Sequence, residues 1–146
     1  MYKITIEQIP RDKDEEIVIR CHELSDEVTA IINKLKKSES ILLGSRDGET
    51  YRISVKDIYY IESVDNKTFI YTQKDVFESK QKLYELEEMT LGTKLFRCSK
   101  SVILNIGKIR SVAASVNGRF EAKLLNGEMI VISRQYVPAL KEKLGM

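Results

Sequence analysis

The sequence predicts a mainly β fold with a few short helices, and three observations predict it. Asp47-Gly48, Asn117-Gly118 and Asn126-Gly127 each lie between segments rich in β-formers, and such pairs tolerate positive φ at both central positions of a two-residue hairpin turn. In residues 119–125, Phe120, Ala122 and Leu124 alternate with Arg119, Glu121 and Lys123, the period of a half-buried strand. Helical stripes are confined to short stretches near 25–37, 80–89 and the C-terminus.

In chain order, Tyr2–Glu7 and Glu15–Leu24 read as two strands joined by the polar stretch Arg11–Glu16. Ser25 is a helix N-cap, with Asp26 and Glu27 in the positive first turn and Lys36-Lys37 at the negative end. Val28, Ile31, Ile32 and Leu35 make the apolar stripe between them. This β-β-α unit, residues 1–38, is too small to hold a core of its own. It is expected to serve dimerisation or partner binding, with residues 39–146 as the main domain. There, Ser40–Arg46 pairs with Glu49–Val55 across Asp47-Gly48. Ile58–Val64 and Thr68–Thr72 flank the turn cluster Asp65-Asn66-Lys67, and a short strand Val76–Ser79 follows. Residues 80–89 read as a short helix with Leu83 and Leu86 one turn apart. Ile109–Val116, Arg119–Leu125 and Glu128–Ile132 form a meander. A last helix carries Val137, Leu140 and Leu144, and Pro138 restricts its start to the region 134–137.

Composition bounds the function. The chain has 146 residues, 42% hydrophobic and 32% charged, which is the make-up of one globular domain with a small appendage. Met1–Pro10 lacks the pattern of a signal peptide, and no stretch approaches the roughly 18 consecutive apolar residues of a membrane span. Cys21 and Cys98 form no metal or disulfide framework, so a cytoplasmic chain with reduced thiols is expected. His22 is the single histidine, and its neighbour Cys21 points to the opposite side of a strand. Nucleophile-elbow and phosphate-cradling glycine motifs are absent. No enzymatic activity, cofactor or metal is expected. The net charge of +2 hides a gradient: 1–40 carries −2, 41–92 carries −3 and 93–146 carries +7. That asymmetry fits either a polyanion-binding face or a solvated basic surface.

Residues 96–110 read Phe-Arg-Cys-Ser-Lys-Ser-Val-Ile-Leu-Asn-Ile-Gly-Lys-Ile-Arg. A short strand enters a polar knot, Ser99-Lys100-Ser101, whose hydroxyls and ammonium suit phosphate oxygens. This stretch resembles the signature of the LytTR family, the DNA-binding domain of LytR- and AgrA-type bacterial regulators. The family pattern runs approximately F-R-x-H-[RK]-S-[YF]-[IV]-[VI]-N. "VKDIYYIESVDNKTFIYT" (55–72), "KQKLYELEE" (80–88) and "LLNGEMIVISRQYVPALKEKL" (124–144) are similar to further family segments in the same order. The resemblance covers roughly residues 41–146. Here Ser99 stands where the family has histidine, Lys100 is the basic residue, and Val102 replaces an aromatic.

The resemblance implies an elongated antiparallel β fold that reads double-stranded promoter DNA with loops in successive major grooves. It implies contacts by Lys67 and Thr68, by Arg97, Ser99, Lys100 and Ser101, and by Arg134 with Gln135. Physical chemistry leaves Arg134 to a guanine edge or a phosphate, and Lys100 to a base or a phosphate. Arg97 either touches phosphate or braces the loop through a local carboxylate. Lys108 is expected to touch phosphate alone. With about 40 N-terminal residues and no βα series, no phosphoacceptor receiver is expected. The expectation is a stand-alone transcription regulator, a homodimer at least on DNA, with a small membrane protein as an implied regulator. The rival expectation is a protein-interaction module whose basic C-terminal face takes an acidic partner.

Overall fold

The computed structural model describes residues 2–35 and 40–146; the expected helix end at 36–37 and the connector to residue 39 lie outside them. Helix α1 (Asp26–Leu35) is capped by Ser25, whose hydroxyl accepts the Val28 N–H at 3.2 Å. Strands β1 (Ile41–Arg46) and β2 (Glu49–Ser54) form the first hairpin. Asp47 and Gly48 take φ of 52° and 80°, the two left-handed positions that this turn requires. β3 (Ile58–Val64) and β4 (Lys67–Thr72) join through Asp65 and Asn66 in the same way, at 50° and 65°. β5 (Val76–Ser79), α2 (Leu83–Met89), β6 (Leu95–Arg97) and β7 (Val102–Asn105) follow. β8 (Ile109–Ala114), β9 (Phe120–Leu124) and β10 (Met129–Ile132) make the meander, and α3 (Val137–Leu144) ends the chain's regular structure.

All strand pairs are antiparallel, and they form two sheets. One has seven strands in the order β2-β1-β5-β4-β3-β7-β6; the other has three, β10-β9-β8. Two apolar clusters follow from the pleat. Ile58, Ile61, Ile70, Phe77 and Ile103 of the large sheet pack with Leu83 and Leu86 of α2. On the other side Phe96, Val102 and Leu104 meet Ala122, Leu124 and Ile132 of the small sheet and Leu140 of α3. β7 therefore has no water-facing side, and its four residues are all buried, which accounts for an unbroken apolar run where alternation would mark a half-exposed strand. Buried Asn105 closes it by donating Nδ2–H to the carbonyls of Val55 and Ile58 and accepting the Gly107 N–H.

Two expectations need correction. At Asn126-Gly127 only the glycine takes positive φ, 90°, while Asn126 Oδ1 accepts the Glu128 N–H. The connection is a three-residue loop, Leu125 to Gly127, closed by Gly127 N–H to the Leu124 carbonyl and Leu124 N–H to the Glu128 carbonyl, and such a loop needs one left-handed residue, the glycine. The second correction is larger: Tyr2–Glu7 and Glu15–Leu24 form no strands, so of the β-β-α unit only the helix exists. A turn does form, with Lys13 N–H bonded to the Pro10 carbonyl at 3.1 Å. Continuing that turn as a hairpin would set Glu7 opposite Glu16 and Lys3 opposite Arg20, and like charges directly opposite destabilise a ladder. Neither Arg11 nor Asp12 has positive φ, so the turn also lacks the twist that hairpins favour.

Cys98 sits wholly inside the second cluster, with Sγ 3.6 Å from the Val102 carbonyl. Burial pushes its thiol from the ordinary 9.0 up to about 12, so the reactive thiolate is suppressed. A thiol reagent at pH 8 should label one cysteine, exposed Cys21, and reach Cys98 only on unfolding. A raised folded pKa stabilises fully below the unfolded value and is lost above it. Burial raises Tyr60 in the same direction, aided by neighbouring Glu128. Stability in urea should therefore fall between pH 9 and pH 12, and a flat profile there would contradict the burial of these groups.

Candidate nucleic-acid interface

The knot Ser99-Lys100-Ser101 is the connection between β6 and β7. Its backbone is closed by Cys98 N–H to the Val102 carbonyl at 3.0 Å, and Ser99 Oγ accepts the Ser101 N–H at 3.3 Å. Arg97 holds it from beneath. Nε–H donates to the Ser99 carbonyl at 2.7 Å, Nη2–H to the Lys100 carbonyl at 2.6 Å, and Nη1–H to Glu87 on α2 at 2.9 Å. The guanidinium is spent on bracing the loop, the second of its two readings. Lys100 and Ser101 remain exposed at the tip.

Other segments converge on the same end of the sheets. Ser63 N–H bonds the Ser101 carbonyl at 2.8 Å, bringing the β3–β4 turn beside the knot. Ser133 N–H bonds the Cys98 carbonyl at 2.9 Å, bringing the β10–α3 exit to its other side. The β8–β9 turn completes the rim: Asn117 and Gly118 take φ of 59° and 75° within a connection closed by Ser115 N–H to the Arg119 carbonyl. A Cβ at Gly118 would lie 2.8 Å from Arg134 Cδ, so the bare glycine lets the arginine stem cross the turn. The result is an open basin of about 510 Å³ lined by Lys100, Arg119 and Arg134 with Ser99, Ser101, Asn117, Ser133 and Gln135. No carboxylate lines it, and among the described residues none of these three cations has an ion-pair partner.

The expected contact residues are therefore divided. Ser99, Lys100, Ser101, Arg134 and Gln135 line the basin. Lys67 begins β4 beside the neighbouring turn, exposed, with Nζ 4.0 Å from Glu78. Thr68 is buried within the sheet, at 3% exposure, and presents no side chain for a base. Lys108 is at the far end of the β8–β9 hairpin from the basin, its ammonium 5.0 Å from the centre of the Tyr59 ring. Asn117 and Arg119 were not foreseen as site residues. Their one signal was the Asn-Gly turn followed by an arginine on the polar face of the strand, a pattern common to any solvated hairpin.

The family described as the LytTr DNA-binding domain matches residues 48–145. The Enterococcus faecalis sensory transduction protein LytT is 30% identical over 110 residues, which are 75% of this chain and 45% of that protein; the chain spans less than half its length. A Staphylococcus aureus protein described as an uncharacterized HTH-type transcriptional regulator is 30% identical over 149 aligned positions, covering 100% of each. Among solved structures, the LytTr DNA-binding domain of a putative methyl-accepting/DNA response regulator from Bacillus cereus superposes with a TM-score of 0.69 at 22% identity. It covers 73% of this chain and 98% of that one.

Proposed function

The chain belongs to the LytTR family of DNA-binding domains, and from that premise we propose that it is a transcription regulator that reads double-stranded promoter DNA sequence-specifically through its loops. The observation that carries the reading is the carboxylate-free basin, where Lys100, Arg119 and Arg134 gather from three separate connections. Cations with no internal partner lose least when they meet phosphate or a guanine edge. The helices α1, α2 and α3 are separated by strands, so no helix-turn-helix is available among the described residues; loops and turns are the elements left to enter a groove. In this reading Arg134 and Gln135 approach base edges in one major groove, Lys100 with the knot hydroxyls holds the adjacent backbone, and Lys67 extends the contact toward a second groove. The regulator works in the cytoplasm, as a homodimer on repeated half-sites, with a small membrane protein as the partner that restrains it.

With about six phosphate contacts, log K should fall against log salt with a slope near −5. Arg119→Ala should flatten that slope by about 0.9, one phosphate's share, whereas Lys108→Ala should leave it unchanged because that ammonium is held over Tyr59 away from the basin. Anisotropy titrations on random duplex at several salt concentrations measure this. No association with random duplex at low salt would overturn the reading and favour an acidic protein as the partner of the basic face.

A further inference from the structure

The segment that failed to become a strand has a partner written into its own sequence. Residues 14–22 make no backbone hydrogen bond among the described residues. Within them Ile17 is 73% and Val18 61% exposed. A run of unpaired N–H and C=O groups carrying bare β-branched side chains is a template for strand addition. Pairing with the chain's own Tyr2–Ile9 segment is opposed by the Glu7–Glu16 and Lys3–Arg20 clashes described above.

We propose that residues 13–23 pair antiparallel with the same segment of a second copy, about a two-fold axis through Val18. In that register each residue faces the one equally far beyond Val18. Val18 meets Val18, Ile17 meets Ile19, Glu16 meets Arg20, Asp14 meets His22 and Lys13 meets Glu23. Apolar residues meet apolar ones at the centre; outside it opposite charges or a histidine–carboxylate pair meet at every place except Glu15, which faces Cys21, and each pair other than Val18 with its own copy occurs twice by symmetry. Neighbouring registers lose this match. An axis at Ile17 sets Val18 against Glu16; an axis at Ile19 sets Val18 against Arg20 and Glu15 against Glu23.

A two-stranded ladder alone is marginal in water, so it must bury neighbouring surface. Ile4, Ile6, Ile17, Val18, Ile31 and Leu35 are all exposed in the single chain. Successive residues of a strand point to opposite faces, so Ile17 with Ile19 offers one apolar face and Val18 with its copy the other for that surface to cover. The proposal deepens the homodimer part of the functional reading and uses no residue of the DNA basin, so either can fail without the other.

The test is sedimentation of the full chain without DNA. The unaltered protein should show a concentration-dependent monomer–dimer equilibrium. Glu16→Arg alone and Arg20→Glu alone should each weaken it roughly tenfold, since each opposes like charges at two symmetric places. Mixing the two single variants should restore dimers to near the original strength, because the arginine introduced at position 16 of one chain then faces the glutamate introduced at position 20 of the other; the double variant should recover too. Val18→Glu, which sets two carboxylates together on the axis, should leave monomers. The segment lies outside both apolar clusters, so every variant should keep a cooperative thermal melt of the sheets, and the Val18→Glu monomer should still bind random duplex. A protein monomeric at all concentrations, single variants that dimerise like the parent, or a mixture no stronger than its components would each overturn the proposal.

Discussion

Arg134→Ala is expected to reduce affinity for a preferred DNA site about 5- to 150-fold, the equivalent of roughly 1–3 kcal/mol for one bidentate guanine contact, while binding to random duplex changes little. The reason lies in how the side chain is held. Arg134 begins the short turn between β10 and α3, its stem crosses bare Gly118, and the turn is pinned to the knot by the Ser133–Cys98 hydrogen bond. A guanidinium positioned in advance loses little freedom on binding. Selecting bound fragments from genomic DNA supplies the preferred site, and titrating parent and variant on it and on random duplex measures the difference. Equal losses on both, with a slope flatter by about 0.9, would identify a phosphate contact and refute base reading.

Arg97→Ala should act through the fold of the knot. The substitution removes donors to the Ser99 and Lys100 carbonyls and to Glu87, and a hydrogen bond to a charged group contributes about 1.5–3 kcal/mol. The Arg97 side chain is 18% and that of Glu87 41% exposed, so water recovers part of the loss. A destabilisation of about 2 kcal/mol in urea is expected. DNA affinity should fall with it while the salt slope stays where it was, because this guanidinium is turned to carbonyls and not to solvent. Lys100→Ala should do the reverse, flattening the slope by about 0.9 with stability unchanged. Arg97→Lys should not rescue, since one ammonium lacks the planar fork that reaches three acceptors. A flattened slope in Arg97→Ala would show that the residue meets phosphate after all.

The contrast between these arginines shows how far the residues alone could be read. Both lie in the basic last third of the chain, and both belong to motifs that resemble the family. Nothing local tells which keeps its charge for a ligand. Arg97 is turned inward by Glu87, which comes from α2 ten positions earlier and is brought beside β6 because Leu86 packs in the same apolar cluster as Leu95. Thr68 shows the same limit. Its neighbour Lys67 is exposed, and the side of the pleat that the rest of the fold covers is the one that carries Thr68.

The sequence by itself determined what depends on near neighbours. Asp47-Gly48 and Asn117-Gly118 take the left-handed angles that their side chains permit, Ala122 and Leu124 follow the pleat inward, Ser25 caps its helix, and the ordered motifs from 55 to 144 mark the family. The tertiary structure decided what depends on segments far apart in the chain. It carried Arg119 and Arg134 to Lys100, withdrew Arg97, and held Lys108 over Tyr59 at the other end of the hairpin. It also left Glu15–Leu24 without a ladder, because alternation makes a strand possible and only an acceptable partner makes one. Torsional preference is settled within a few residues, whereas the direction of a long charged side chain and the pairing of a strand are settled by whichever donors, acceptors and charges the rest of the fold places beside them.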